Sequence, residues 1–164
     1  MAAPVTLVML AVTGCSSGSN YNGSNSTGQA RTQVPVSPDA TGRRLILHAH
    51  SEADLGTIIT GPNGDTVYAF SGDTSGKPHC YGDCESQWPP VTTVGAPGAA
   101  EGALPSKVGY VERQGGSLQV TYNGHPLYYY AGDERVEGKT KGAGVTQFHG
   151  RWSVLSPNGG AGRS

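Results

Sequence analysis

A chain of 164 residues has room for one ordinary domain with tails and excludes two large ones. With 35% hydrophobic and 14% charged residues, 26 glycines and 11 prolines, it has the composition of a turn-rich β protein. Eleven Lys and Arg against twelve Asp and Glu give a formal net charge of -1, and no stretch gathers the cations that a phosphate backbone attracts, which argues against nucleic acid as a partner.

The longest apolar run, Val5 to Val12, is far shorter than the roughly 20 residues that cross a bilayer, and it suits the core of a signal peptide over residues 1–14. Val12-Thr13-Gly14-Cys15 follows it and resembles the lipobox of bacterial lipoproteins, in which small residues precede a cysteine that takes a diacylglyceryl thioether and becomes the mature N-terminus. Cys15 is thus the expected lipid attachment, and the membrane the expected partner of that lipid. Met1-Ala2-Ala3-Pro4 departs from the pattern in lacking Lys or Arg, a departure that a misassigned start codon would explain. The plainer alternative is a buried N-terminal strand with a free Cys15, against which the polar tract from Ser16 to Gly42 speaks. That tract reads as a solvated tether with a span of about 30 Å if it behaves as a flexible coil. Cys80 and Cys84 then remain as a close pair, expected to form a disulfide outside the cytoplasm unless a metal or a reductant claims them.

Downstream of the tether the sequence repeats itself. Asn63-Gly64-Asp65-Thr66-Val67-Tyr68-Ala69-Phe70-Ser71-Gly72-Asp73 aligns without gaps, at an offset of 60, with Asn123-Gly124-His125-Pro126-Leu127-Tyr128-Tyr129-Tyr130-Ala131-Gly132-Asp133. Gly76-Lys77 is echoed by Gly138-Lys139 and Trp88 by Trp152, the offsets growing to 62 and 64. Asn-Gly suits the left-handed centre of a tight hairpin, so each copy is expected to be one: Leu55 to Thr60 returning as Thr66 to Phe70, and Ser117 to Tyr122 returning as Pro126 to Tyr130. Leu45 to His50, Val108 to Arg113 and Trp152 to Leu155 read as further strands, and Asp83 to Trp88 as one helical turn stopped by Pro89-Pro90. The two-residue period puts Tyr68 with Phe70, and Tyr128 with Tyr130, on one face, with Tyr129 on the other.

These features together resemble a family of secreted-repeat lipoproteins of unknown function. The resemblance rests on the lipobox, the tether and two copies of a Tyr-x-[Phe/Trp/Tyr]-x-x-Asp motif, Tyr68/Phe70/Asp73 and Tyr128/Tyr130/Asp133. Cys80-Tyr81-Gly82-Asp83-Cys84 followed by Trp88-Pro89-Pro90 is similar to the family pattern, as is Gly150 to Pro157, except that Ser153 stands where an aromatic is expected. It covers roughly residues 44–158 and implies location and fold class but no catalytic activity.

Few residues invite chemistry. Asp73 and Asp133 would suit paired acids or a cation site, yet an Asp after Gly at a strand end more commonly accepts backbone hydrogen bonds and pins a turn. His79, Cys80 and Cys84 form the alternative metal site, of a type that suits Cu(I), although no βαβ pattern supplies the framework of copper-delivery proteins. His48 and His50 share a strand face, His125 and His149 are scattered, and Gly138 to Gly142 lacks the spacing of a phosphate loop and reads as a mobile surface loop. Neither Gly-x-Ser-x-Gly nor His-Glu-x-x-His occurs. Tyr110, Tyr122, Tyr129, Trp88 and Trp152 offer a recognition platform if exposed, though most belong to a core in so small a domain.

The expected fold is therefore all-β, an antiparallel sandwich or barrel-like sheet of two hairpin pseudo-repeats, about 44–95 and 106–158, within a domain of residues 43–158 followed by a disordered tail at 159–164. The expected function is that of a lipid-anchored, non-enzymatic envelope module without cofactor, binding an envelope protein or wall polymer. The rivals are an envelope metal or thiol-redox protein using His79, Cys80 and Cys84, and a cell-wall hydrolase using Asp73 and Asp133.

Overall fold

Short apolar stretches punctuated by glycine-rich turns fold as short strands rather than long ones, and the computed structural model describes them over residues 44–162. The expected signal peptide, Cys15 and the whole of the tether lie outside the described residues. In chain order the elements are β1 (Ile46–Glu52), β2 (Gly56–Thr60), β3 (Tyr68–Phe70), α1 (Asp83–Gln87), β4 (Thr92–Thr93), β5 (Gly98–Ala99), β6 (Val108–Glu112), β7 (Leu118–Tyr122), β8 (His125–Tyr128), β9 (Thr146–Gln147) and β10 (Gly150–Val154). Single 3-10 turns sit at Pro105–Lys107 and Ala131–Asp133. The fold is all-β and sandwich-like, without barrel closure: a sheet of order β2-β1-β5 and a seven-stranded sheet of order β4-β7-β8-β3-β10-β9 with β6 on β7. Pairing is antiparallel except for the two-residue parallel contact of β1 with β5.

The second repeat folds as its pattern predicts. β7 returns as β8 through Asn123-Gly124, with Tyr122 opposite His125 and both turn residues left-handed, φ 49° and 81°. In the first repeat the expected hairpin is replaced by something looser. Five residues separate Thr60 from Thr66 where two separate Tyr122 from His125, and only Gly64 of the Asn63-Gly64 pair is left-handed. The wider turn is closed by Gly64 N–H on the Gly61 carbonyl and Gly61 N–H on the Asp65 carbonyl, after which Thr60 and Thr66 make a single bridge. β2 instead pairs along its length with β1, and β3 leaves to join β8 and β10.

β3 and β8 form the centre of a local two-fold arrangement. Tyr68 stands opposite Tyr128. On the far side of β3, β10 places Trp152 opposite Phe70; on the far side of β8, the strip after Trp88 does the same, with Tyr129 N–H on Pro89 O at 2.8 Å and Val91 N–H on Leu127 O at 2.9 Å. The offset of 64 between the tryptophans thus corresponds to equivalent strand positions. One face of this sheet buries Val67, Leu127, Tyr129, Val91 and Leu155 with Leu47 and Ile59. The other buries Tyr68, Phe70, Tyr128, Trp88 and Trp152 with both domain cysteines. The segment read as a loose tail folds back: Leu155 bridges Ala161, and Gly162 N–H reaches Val154 O at 2.7 Å.

Candidate functional site

The motif residues meet, but across the repeats rather than within them. Tyr68 Oη donates to Asp133 Oδ2 at 2.5 Å, and Tyr128 Oη donates to Asp73 at 3.0 and 3.2 Å from its two oxygens. Each carboxylate also accepts a backbone N–H eight or six residues on: Lys141 N to Asp133 Oδ1 at 2.9 Å and His79 N to Asp73 Oδ1 at 2.8 Å. Burial raises the pKa of both aspartates above the ordinary carboxylate value, and these hydrogen bonds offset part of the rise. Burial together with the facing carboxylate holds Tyr68 and Tyr128 well above the ordinary phenol value. The loop at Gly138 to Gly142 is therefore pinned rather than mobile, since Gly142 N–H also donates to Tyr68 Oη at 3.3 Å.

Behind the pairs lies a column of four stacked rings, Phe70 on Trp152 at 4.3 Å, Trp152 on Trp88 at 3.8 Å, and Trp88 on Tyr130 at 4.3 Å. The exchange holds here too: each motif aromatic stacks on the tryptophan of the other repeat, while Tyr68 and Tyr128 meet the tryptophan of their own edge-on. Gly72 and Gly132 are where the column needs no side chain, because a Cβ at either would collide with the ring of Phe70 or Tyr130. Trp88 Nε1 donates to Gln147, whereas Trp152 Nε1 has no partner among the described residues.

Cys80, ahead of α1, is joined in a disulfide to Cys84 in its first turn, and both are buried in the cluster that holds Trp88. Their sulfurs are therefore not thiolates offered to a metal, and His79 Nδ1 lies instead 2.9 Å from the Lys77 carbonyl. Among the described residues no group of three or more His, Cys, Asp or Glu side chains is placed to hold a metal ion. His48 pairs with Glu101 at 2.9 Å and His50 lies 3.9 Å from Glu52, so the strand-face pair is divided between two carboxylates. Of the platform aromatics, Trp88, Trp152, Tyr122 and Tyr129 are buried and only Tyr110 is exposed.

Two arginines organise the site without a sequence signal. Buried Arg113 donates to Gln119 at 2.6 Å, to the Cys80 carbonyl at 2.9 Å and to Glu85 at 2.9 Å, and its guanidinium lies 4.3 Å over the Tyr81 ring. It ties the disulfide loop to β7. Arg135 reaches Asp65 at 2.7 Å and covers the Tyr129 ring at 3.4 Å. Burial opposes its charge, but the bond to Asp65 prevails and raises its pKa. Cys80 lies 33 residues from Arg113 and Asp65 lies 70 from Arg135, and the chain at Glu134 and Arg135 is left-handed, φ 55° and 56°.

Two half-open cavities lie on this frame. One of about 400 Å³ beside the disulfide has Lys77, His79, Tyr81, Val111, Glu112 and Gln114 among its lining residues. The other, of about 130 Å³, lies over Ala69 and Ser153.

Neither a curated protein nor a solved structure matches the chain. The family described as a secreted repeat of unknown function matches residues 49–92 and 109–156, the two halves related by the exchange above, and its description supports a place outside the cytoplasm. The chain belongs to this secreted-repeat family.

Proposed function

We propose that this chain is a lipid-anchored, non-enzymatic envelope module, attached through Cys15 and presenting a binding surface to a wall polymer or envelope protein. The observation that carries the reading is the use made of the two motif aspartates. Each carboxylate is held by a phenol and a backbone N–H inside the domain, so neither is poised to pass protons to a substrate. While Cys80 and Cys84 are joined in the disulfide they offer no thiolate to a metal. The larger of the two cavities, of about 400 Å³, brings an aromatic edge, a cation and amide and carboxylate groups together, a mixture that suits a sugar or peptide chain.

The anchor is tested by the intact mass of the native mature protein. A chain beginning at Cys15 with a diacylglyceryl adduct agrees with the reading; an unmodified chain that retains residues 1–14 contradicts it. The binding surface is tested with purified wall polymer in a sedimentation assay. Retention by the wild type that falls at least tenfold in Lys77→Ala with Gln114→Ala supports this cavity, while release of polymer fragments dependent on Asp73 and Asp133 would support hydrolysis instead.

A further inference from the structure

The two repeats are not equivalent at one position, and the difference leaves a hole. Tyr129, just past the end of β8, and Ala69 of β3 match in the alignment, and both lie on the sheet face away from the stacked column. The strip at Pro89 runs beside Tyr129 as β10 runs beside Ala69, where Ser153 is the partner. In the filled half, the Tyr129 ring is buried to 6% exposure, covered by the Arg135 guanidinium at 3.4 Å. That guanidinium is held by Asp65, and the residue matching Asp65 in the other half is His125.

The half-open cavity of about 130 Å³ lies at the vacant counterpart. Its lining includes Ala69 and His125, which match Tyr129 and Asp65, and Ser153 and Leu155, which match Pro89 and Val91. Arg151 of β10 is also among the lining residues. Ala69 and Leu155, both of the core on this face, supply apolar floor, and no carboxylate lines the space. A single six-membered ring with a small substituent matches this volume, and the filled half displays the kind of ring that this face accepts.

We propose that this cavity binds one phenol-sized aromatic ring, seated over Ala69 and Ser153 as Tyr129 sits in the opposite repeat. The site is separate from the cavity beside the disulfide and does not depend on the role assigned to that cavity. Free phenolic compounds and the side chain of a partner's tyrosine share this chemistry. The ring of the filled half gains cation–π attraction from Arg135, a contribution that a saturated ring of the same shape lacks.

The test is a two-dimensional NMR titration of the full chain with p-cresol, N-acetyl-tyrosinamide and, as the saturated control, 4-methylcyclohexanol. Saturable shifts at Ala69, His125, Ser153 and Leu155 with p-cresol, at least threefold weaker with the saturated control, support the proposal. Binding of p-cresol alone supports it and assigns the slot to a free phenol; binding of both aromatic probes supports it and assigns the slot to a tyrosine side chain. Ser153→Phe and Ala69→Phe each place a ring in the cavity, and whichever variant folds is expected to lose the shifts. Absence of saturable shifts in the wild type, shifts centred on Tyr81, equal binding of the saturated control, or persistence of binding with the cavity filled would overturn the proposal.

Discussion

Tyr68 of the first repeat is bonded to Asp133 of the second, 65 residues away, although an aspartate of its own motif, Asp73, stands only five residues on. The reciprocal bond of Tyr128 to Asp73 makes the relation an exchange. Neither repeat can complete its own motif. Each half takes its phenol–carboxylate pairing and its face-to-face ring stacking from the other.

Acid should leave the crossed pairs intact and alkali should not. Asp73 and Asp133 have pKa values raised above 3.8, so the fold favours their protonated forms. The stability linked to this is whole below pH 3.8 and is lost as pH rises through the raised folded values. The difference in unfolding free energy between wild type and Asp133→Asn is therefore expected to be larger at pH 3 than at pH 7, measured by urea denaturation. Tyr68, Tyr128 and Tyr129 are raised above 10.0, so the stability they contribute is present below pH 10 and lost above it. In ultraviolet titration these three phenols should ionise only as the protein unfolds.

Arg113 should matter more than the disulfide that it braces. Arg113→Ala strands Gln119 Oε1 and the Cys80 carbonyl without their donor, an expected loss of about 3 kcal/mol. Glu85→Ala should cost less than about 1 kcal/mol, since that carboxylate is 42% exposed. Reducing Cys80–Cys84 opens a very short loop and is expected to cost about 2 kcal/mol by chain entropy. Chemical denaturation of the three forms ranks them.

Phe148-His149 is a two-residue turn between β9 and β10, with Gln147 opposite Gly150 and both turn residues left-handed at φ 52° and 63°. Those angles strain ordinary side chains and suit Asn-Gly, the pair that the β7–β8 turn carries. Phe148→Asn with His149→Gly is expected to raise stability by about 1–2 kcal/mol, read from the thermal midpoint. A lower midpoint would mean that the half-exposed Phe148 ring contributes packing that outweighs the strain.

Much of this was legible from residue patterns, and the failures have physical causes. Alternation placed Tyr68 and Phe70 on one face and Tyr129 on the other, because a pleat has a fixed period of two. The Asn123-Gly124 turn and the short helix at Asp83 were equally readable. Three extra residues in the first turn, Pro62 among them, defeated the matching hairpin, since the hairpin register depends on turn length. Periodicity names a face but never the partner across it, so the Tyr–Asp exchange, Arg113 on Cys80 and Arg135 on Asp65 were invisible. The tail was misread because its bonds to β10 are backbone bonds, which composition does not encode.

The exchange itself is tested most directly by a double-mutant cycle in urea. Tyr68→Phe combined with Asp133→Ala should show a coupling of about 1–2 kcal/mol, and Tyr68→Phe combined with Asp73→Ala a coupling below about 0.5 kcal/mol. Strong coupling of Tyr68 to Asp73 with none to Asp133 would contradict the account, because each motif would then close upon itself.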